Sequence, residues 1–156
     1  MLPCPTKFFK MKKVYILILS AMLTIACSSD DNHRQNNPNL LDVNVNFTVD
    51  TSFPQFSNLS VSVGSPVYVG GYGNGGIFLM NNGSSIVAWD AIDPNHPRDN
   101  SCTSMQLEGP HVVCNCEGNK YELFNGNFIE GENLEYTLYN YRVSEVSPGV
   151  YRVTNN

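Results

Sequence analysis

The sequence predicts an all-β domain built from short antiparallel strands. Three observations carry this reading. Aromatic and β-branched residues recur in short runs divided by Gly, Asn and Pro. Several of these runs alternate apolar and polar residues, the mark of a strand with one buried face. No stretch longer than a turn or two keeps the 3.6-residue period of an amphipathic helix.

The strands can be marked in order. Leu41-Asp42-Val43-Asn44-Val45-Asn46-Phe47-Thr48-Val49 alternates cleanly, and Ser60-Val61-Ser62-Val63 repeats the pattern more briefly. Pro66-Val67-Tyr68-Val69 leads into Gly70-Gly71-Tyr72-Gly73-Asn74-Gly75-Gly76. That glycine-rich segment has no Lys-Ser or Lys-Thr ending and no amphipathic helix after it, so it reads as a bulged loop and not as a phosphate cradle. Ile77-Phe78-Leu79-Met80 and Ser85-Ile86-Val87-Ala88-Trp89 flank Asn81-Asn82-Gly83-Ser84, a hairpin whose Asn-Gly supplies positive φ angles. Later strands are His111-Val112-Val113-Cys114, Lys120-Tyr121-Glu122-Leu123-Phe124, Tyr136-Thr137-Leu138-Tyr139-Asn140-Tyr141-Arg142-Val143 and Val150-Tyr151-Arg152-Val153. Asn125-Gly126 and Pro148-Gly149 mark turns between them.

Ahead of the domain, Met11-Lys12-Lys13 gives a basic start to an apolar run that ends at Cys27. The run is shorter than the roughly 20 residues that span a bilayer, and small residues precede the cysteine, so it reads as an export signal. Residues 1–10, with Cys4 and two prolines, read as an upstream mis-start, with Met11 the initiator. Leu23-Thr24-Ile25-Ala26-Cys27 resembles a bacterial lipobox, which implies cleavage after residue 26 and a lipid on Cys27. Polar residues 27–39 then form an anchored, flexible tether, and residues 40–156 the domain. Ser28-Ser29-Asp30-Asp31 resembles the acidic export tag of Bacteroidetes lipoproteins, which implies an outer-membrane lipoprotein facing the cell surface. Past residue 26, five basic residues face fourteen acidic ones, a net charge of −9. Nucleic acid is therefore not an expected partner, and attachment to a membrane falls to the lipid.

From residue 88 to residue 153 the order of features resembles a Rieske domain. Val113-Cys114-Asn115-Cys116-Glu117-Gly118, followed by Tyr121-Glu122-Leu123-Phe124-Asn125-Gly126, is similar to that family's second loop and its hairpin. Trp89-Asp90-Ala91-Ile92-Asp93-Pro94-Asn95-His96 stands at the first loop. The resemblance implies an antiparallel β-sandwich with a small two-loop subdomain at about residues 89–126. It places Cys114 on a ligand cysteine, but Asp93 on the other ligand cysteine and Asn95 and Glu117 on the ligand histidines. His96 is one residue out of register. Because such a cluster needs two thiolates and two imidazoles, a 2Fe–2S cofactor is not expected, and no other cofactor is.

The resemblance also pairs Cys102 with Cys116 as a disulfide bracing the loops, with Cys114 left over; the residues themselves leave Cys102–Cys114 open as a rival. Such a bridge stabilises by about 3 kcal/mol on the chain-entropy model. No catalytic constellation is legible: there is no Gly-x-Ser-x-Gly elbow and no His beside an evident nucleophile. The expected metal content is none, the alternative being one ion among Asp93, His96, Cys114 and Glu117. The function implied is a non-catalytic binding or interaction module in the cell envelope, with Tyr136, Tyr139 and Tyr141 available to a partner, although alternate residues of that strand must equally supply the core. The alternative is a redox protein, by 2Fe–2S electron transfer or by thiol–disulfide exchange through Cys102, Cys114 and Cys116.

Overall fold

The computed structural model describes residues 37–97, 102 and 104–155. The export signal, Cys27 and most of the tether lie outside the described residues. Among the described residues no helix is long and apolar enough to cross a membrane.

The chain is all-β, as expected, and among the described residues every strand pairing is antiparallel. One sheet has six strands in the order β1 (Asn46–Asp50), β10 (Val150–Thr154), β9 (Asn140–Ser147), β4 (Ile86–Asp90), β3 (Ile77–Asn81) and β2 (Val67–Val69). The second has four in sequence order: β5 (Gln106–Glu108), β6 (His111–Val113), β7 (Lys120–Glu122) and β8 (Phe128–Glu130).

The six-stranded sheet curls, because residues from its two edges share one core. Phe47 and Val49 of β1 lie in the same apolar cluster as Ile77 and Leu79 of β3, with Val67 and Val69 of β2 packed against it. Phe47 also stacks on Tyr72, their ring centroids 4.1 Å apart. A second cluster fills the space between the other face of β3–β4 and the small sheet: Phe78, Met80 and Trp89 meet Val112, Tyr121 and Leu123. The uninterrupted apolar run of β3 follows from this position. Ile77 and Leu79 serve one core and Phe78 and Met80 the other, so the strand is buried on both faces. The β3–β4 hairpin forms as expected, with Phe78 opposite Trp89 and Met80 opposite Val87. Its turn is wider than two residues: Asn82 accepts at Oδ1 from the backbone N–H groups of Ser84 and Ser85.

The expected strand at residues 60–63 does not form. Residues 54–56 make a 3-10 turn opened by Pro54, and α1 (Asn58–Val61) follows as a single helical turn. Leu59 enters the first core, while Val61 and Val63 are exposed. Four alternating residues without a paired partner cannot hold a strand against the one side chain that is buried. Residues 136–139 are likewise not strand, and β9 begins at Asn140. Strands β5 and β8, unmarked in the sequence, have all three residues exposed and so lack the alternation that would have shown them.

The glycine-rich loop is a packing device. Asp90, fully buried at the end of β4, accepts from Tyr141 Oη (2.6 Å), Asn74 N (2.8 Å), Asn74 Nδ2 (3.0 Å) and Ile92 N (3.0 Å). Gly73 sits over this cluster at φ +66°, where a Cβ would stand 2.8 Å from Asp90 Oδ2 and 2.9 Å from Tyr141 Oη. Gly71 has φ +84° with open space around it. Gly73→Ala is therefore expected to cost about 3 kcal/mol, from backbone strain plus overpacking, and Gly71→Ala about 1 kcal/mol from strain alone. Urea denaturation of the two variants side by side measures the difference; equal losses would remove the packing role.

Candidate functional site

Two loops meet beside the second core. The first, residues 91–97, leaves β4; the second, residues 114–119, joins β6 to β7. The second loop closes on itself, with Cys114 N donating to Asn119 O and Gly118 N to Cys114 O, each at 2.8 Å. Asp93 (2% exposed) joins the loops. Its Oδ1 accepts from Tyr121 Oη at 2.6 Å and from Asn95 N at 2.9 Å, and its Oδ2 from Asn119 Nδ2 at 2.9 Å. Burying a carboxylate is costly unless such donors surround it, and here both oxygens are served by neighbours from both loops. Burial, reinforced by the facing carboxylate, pushes the Tyr121 phenol far above its ordinary range.

Asn95 uses its whole side chain. Its Nδ2 donates to Tyr121 Oη (2.9 Å) and Tyr136 O (2.6 Å), and its Oδ1 accepts from the N–H groups of Glu135 and Tyr136, both at 2.8 Å. Residues 135–136 are thereby pinned to the first loop, which is why this stretch is not strand. Asn37 and Asn39, at the end of the expected tether, both donate to Pro94 O, at 2.8 and 2.9 Å.

The cysteines settle the pairing. Cys102 and Cys116 form a disulfide with Cα atoms 6.0 Å apart. Cys114 is a buried free thiol whose Sγ lies 3.6 Å from Cys102 Sγ. Burial pushes the Cys114 thiol up from its ordinary value, more than the backbone hydrogen bonds from Glu117 and Cys116 lower it.

The alternative metal set of the sequence reading is divided in this geometry. Asp93, His96, Cys114 and Glu117 do not converge as one group. They divide into His96 Nδ1 on Glu117 Oε1 at 3.0 Å and Asp93 beside Cys114, with Asn119 Nδ2 reaching both Asp93 and, at 3.1 Å, Glu117 Oε2. The group that does converge among the described residues is His96, Cys102 and Cys116, whose ligand atoms lie within 4.8 Å of one another.

A two-iron cluster does not fit the residues at the positions the resemblance gave it. Two thiolates and two imidazoles are needed; the side chains there are Asp93, Asn95, Cys114 and Glu117, and the first two are saturated by protein hydrogen bonds. Of the three tyrosines considered for a partner, Tyr136 and Tyr139 are half-buried and Tyr141 is buried. Tyr141 is core, with its hydroxyl on Asp90, and Tyr139 packs edge-on against it at 5.1 Å. Sequence reasoning missed Tyr121 and Asn119, because a tyrosine inside an apolar strand looks like ordinary core.

No protein-family model matches the chain, and no curated protein matches it. Among solved structures the chain is similar to one chain of the "Complex of reduced oxygenase and oxidized ferredoxin in carbazole 1,9a-dioxygenase". The two are 17% identical with a TM-score of 0.46, over 72% of this chain and 94% of that one. Taken on its own geometry, this is an all-β protein of two antiparallel sheets with a disulfide-braced pair of loops.

Two outcomes follow from the network. Asn95→Ala should speed hydrogen exchange at the amides of Glu135 and Tyr136 while leaving β3 and β4 protected; unchanged exchange there would contradict the pinning. Tyr121 and Tyr141 both have raised pKa values through burial and a facing carboxylate, so they stay protonated in the folded state where the unfolded chain ionises. Their contribution is complete below the unfolded value of 10.0 and is lost as pH rises beyond it, by about 1.4 kcal/mol per pH unit per tyrosine. Urea titrations above pH 10 should show that slope reduced by one tyrosine's share in Tyr121→Phe.

Proposed function

We propose that the protein is an exported lipoprotein, anchored through Cys27 to the outer membrane and facing the cell surface, whose Rieske-like domain works as an interaction module without an iron–sulfur cluster. One observation carries the reading. The loop tips are joined by Asp93, Asn95, Asn119 and Tyr121 bonding to one another and to backbone, and Asp93 and Asn95 are two of the four positions at which the resemblance would have put cluster ligands. Loops fixed in this way present a rigid surface without a cofactor to organise it. Exposed Leu107 on β5 and Phe128 and Ile129 on β8, the two edge strands of the small sheet, support binding of a protein or ligand of the envelope. The strongly acidic chain supports a partner other than nucleic acid.

The test uses protein purified from membranes. It is expected to be colourless, to contain less than about one-tenth of an iron per chain, and to carry a lipid that Cys27→Ala abolishes. Stoichiometric iron with visible absorbance would overturn the cluster-free reading, and a Cys27→Ala protein still lipidated would overturn the anchor.

A second reading, thiol–disulfide exchange, has the 3.6 Å approach of Cys114 Sγ to Cys102 Sγ in its favour. Attack by the Cys114 thiolate on Cys102 Sγ would form a Cys102–Cys114 bond and release the Cys116 thiolate, one disulfide replacing another with no outside oxidant. Burial works against it by keeping Cys114 protonated and enclosed. Iodoacetamide at pH 8 on the native protein, followed by peptide mapping, separates the readings. No label on Cys114 or Cys116 is expected of the interaction module, whereas label on Cys116 identifies exchange.

A further inference from the structure

We propose that reduction of the Cys102–Cys116 disulfide opens a mononuclear site for a soft divalent cation of the Zn²⁺ kind, with His96, Cys102 and Cys116 as its protein ligands. This is a different site from the Asp93 network and a different use of the loops from the interaction surface.

The donors come from both loops and are already gathered. One ligand atom from each residue lies within 4.8 Å of the other two. Bonds of about 2.0–2.3 Å in a tetrahedral zinc site put neighbouring ligand atoms roughly 3.5–3.8 Å apart, so closure asks for movements of about 1 Å. The two sulfurs, once no longer bonded, relax outward toward that same spacing. Two thiolates and an imidazole select a soft or borderline cation over Ca²⁺ or Mg²⁺, which need a cage of oxygens.

Reduction need not let the loops part. Asp93 is bonded across to Tyr121 and Asn119, and Asn119 to Glu117, independently of the disulfide. Those contacts hold residues 93–96 against residues 117–121 whatever the state of the sulfurs. His96 is also oriented. Glu117 Oε1 stands 3.0 Å from its Nδ1, and a carboxylate paired with one ring nitrogen is the arrangement that orients an imidazole for metal binding through the other. Solvent reaches the site from the sulfur side, because Cys116 is exposed while both ring nitrogens of His96 are buried. With three protein ligands the fourth position is left to water.

The chemistry balances with a phosphine as reductant. The phosphine is oxidised by two electrons to its oxide with oxygen from water, and each sulfur takes one proton. Binding of the cation then displaces both thiol protons and leaves a bis-thiolate, imidazole complex. The same two sulfurs cannot serve the disulfide and the metal together, so a disulfide oxidant, which takes up the two electrons and is itself reduced to two thiols, re-forms the bridge and releases the ion.

The experiment uses a Cys4→Ser, Cys27→Ser protein, so that the domain cysteines alone remain. Zn²⁺ is titrated against a chromophoric chelator, and Co²⁺ is added separately for its spectrum, each with oxidised and phosphine-reduced protein. One ion per chain is expected in the reduced protein and none in the oxidised, with Co²⁺ giving thiolate charge-transfer and tetrahedral visible bands. His96→Ala should weaken binding by more than about a hundredfold and Glu117→Gln by about tenfold, since loss of an orienting partner alone costs ten- to a hundredfold. Equal binding by oxidised and reduced protein overturns the proposal. So does a reduced chain that loses its near-ultraviolet circular dichroism and binds Zn²⁺ as tightly in His96→Ala as in the parent, because that is capture by an unfolded chain. Iron analysis of the oxidised protein reads the cluster-free proposal separately, so failure of one does not mimic failure of the other.

Discussion

Two buried carboxylates at the end of β4 set the terms for everything around them. Asp90 and Asp93 are three residues apart, each is enclosed, and each receives a tyrosine hydroxyl at 2.6 Å. Asp90 takes Tyr141 from the neighbouring strand of its own sheet, together with the backbone and side chain of Asn74, and so fixes the glycine-rich loop. Asp93 takes Tyr121 from the small sheet and Asn119 from the loop before it, and so fixes the second sheet's loop to the first. A buried charge with fewer donors would be destabilising by several kcal/mol; here the requirement for donors dictates which loops must come together.

This gives the loop pair a physical basis that its sequence order does not reveal. The resemblance calls for two loops held by a metal cluster and braced by a disulfide. The brace is present between Cys102 and Cys116, and a hydrogen-bonded carboxylate also joins the loops. Asn95 extends it to residues 135–136, and Trp89 adds a further tie by donating from Nε1 to Leu123 O at 2.8 Å. Gly126, at φ +78°, packs so close under that indole that a Cβ would stand 2.6 Å from its ring. These protein groups tie the loops together. The Cys102–Cys116 disulfide is a separate tie, while the Cys114 thiol touches the clasp through Asp93.

Much of the framework was legible in the sequence. The β3–β4 hairpin, the Asn125-Gly126 turn and β10 could be read because apolar periodicity and turn chemistry agree there. The strands β5 and β8 could not, since edge strands with every residue exposed carry no alternation. Ser60-Val61-Ser62-Val63 misled for the opposite reason: it alternates, but the residue that buries is Leu59 just before it. At the site, Asp93, Asn95, His96, Cys114, Cys116 and Glu117 were all singled out, and Cys102–Cys116 was the pairing the resemblance gave. What spacing could not supply was direction. Whether His96 turns toward Glu117 and the disulfide, or toward Asp93 and Cys114, depends on side-chain packing that one-dimensional order does not encode. Nor does the identity of Tyr121 as a hydrogen-bond donor distinguish it from any core aromatic.

The claim that a buried carboxylate clasps the two loops is tested most directly by a double-mutant cycle on Asp93 and Tyr121. Asp93→Ala, Tyr121→Phe and the double variant are unfolded in urea at neutral pH, with the disulfide intact in all four proteins. The account predicts a coupling energy of about 1.5–3 kcal/mol, the range for a buried hydrogen bond to a charged group, with the double variant losing far less than the sum of the singles. Additive losses within about 0.5 kcal/mol would contradict it and leave the disulfide as the tie between the loops.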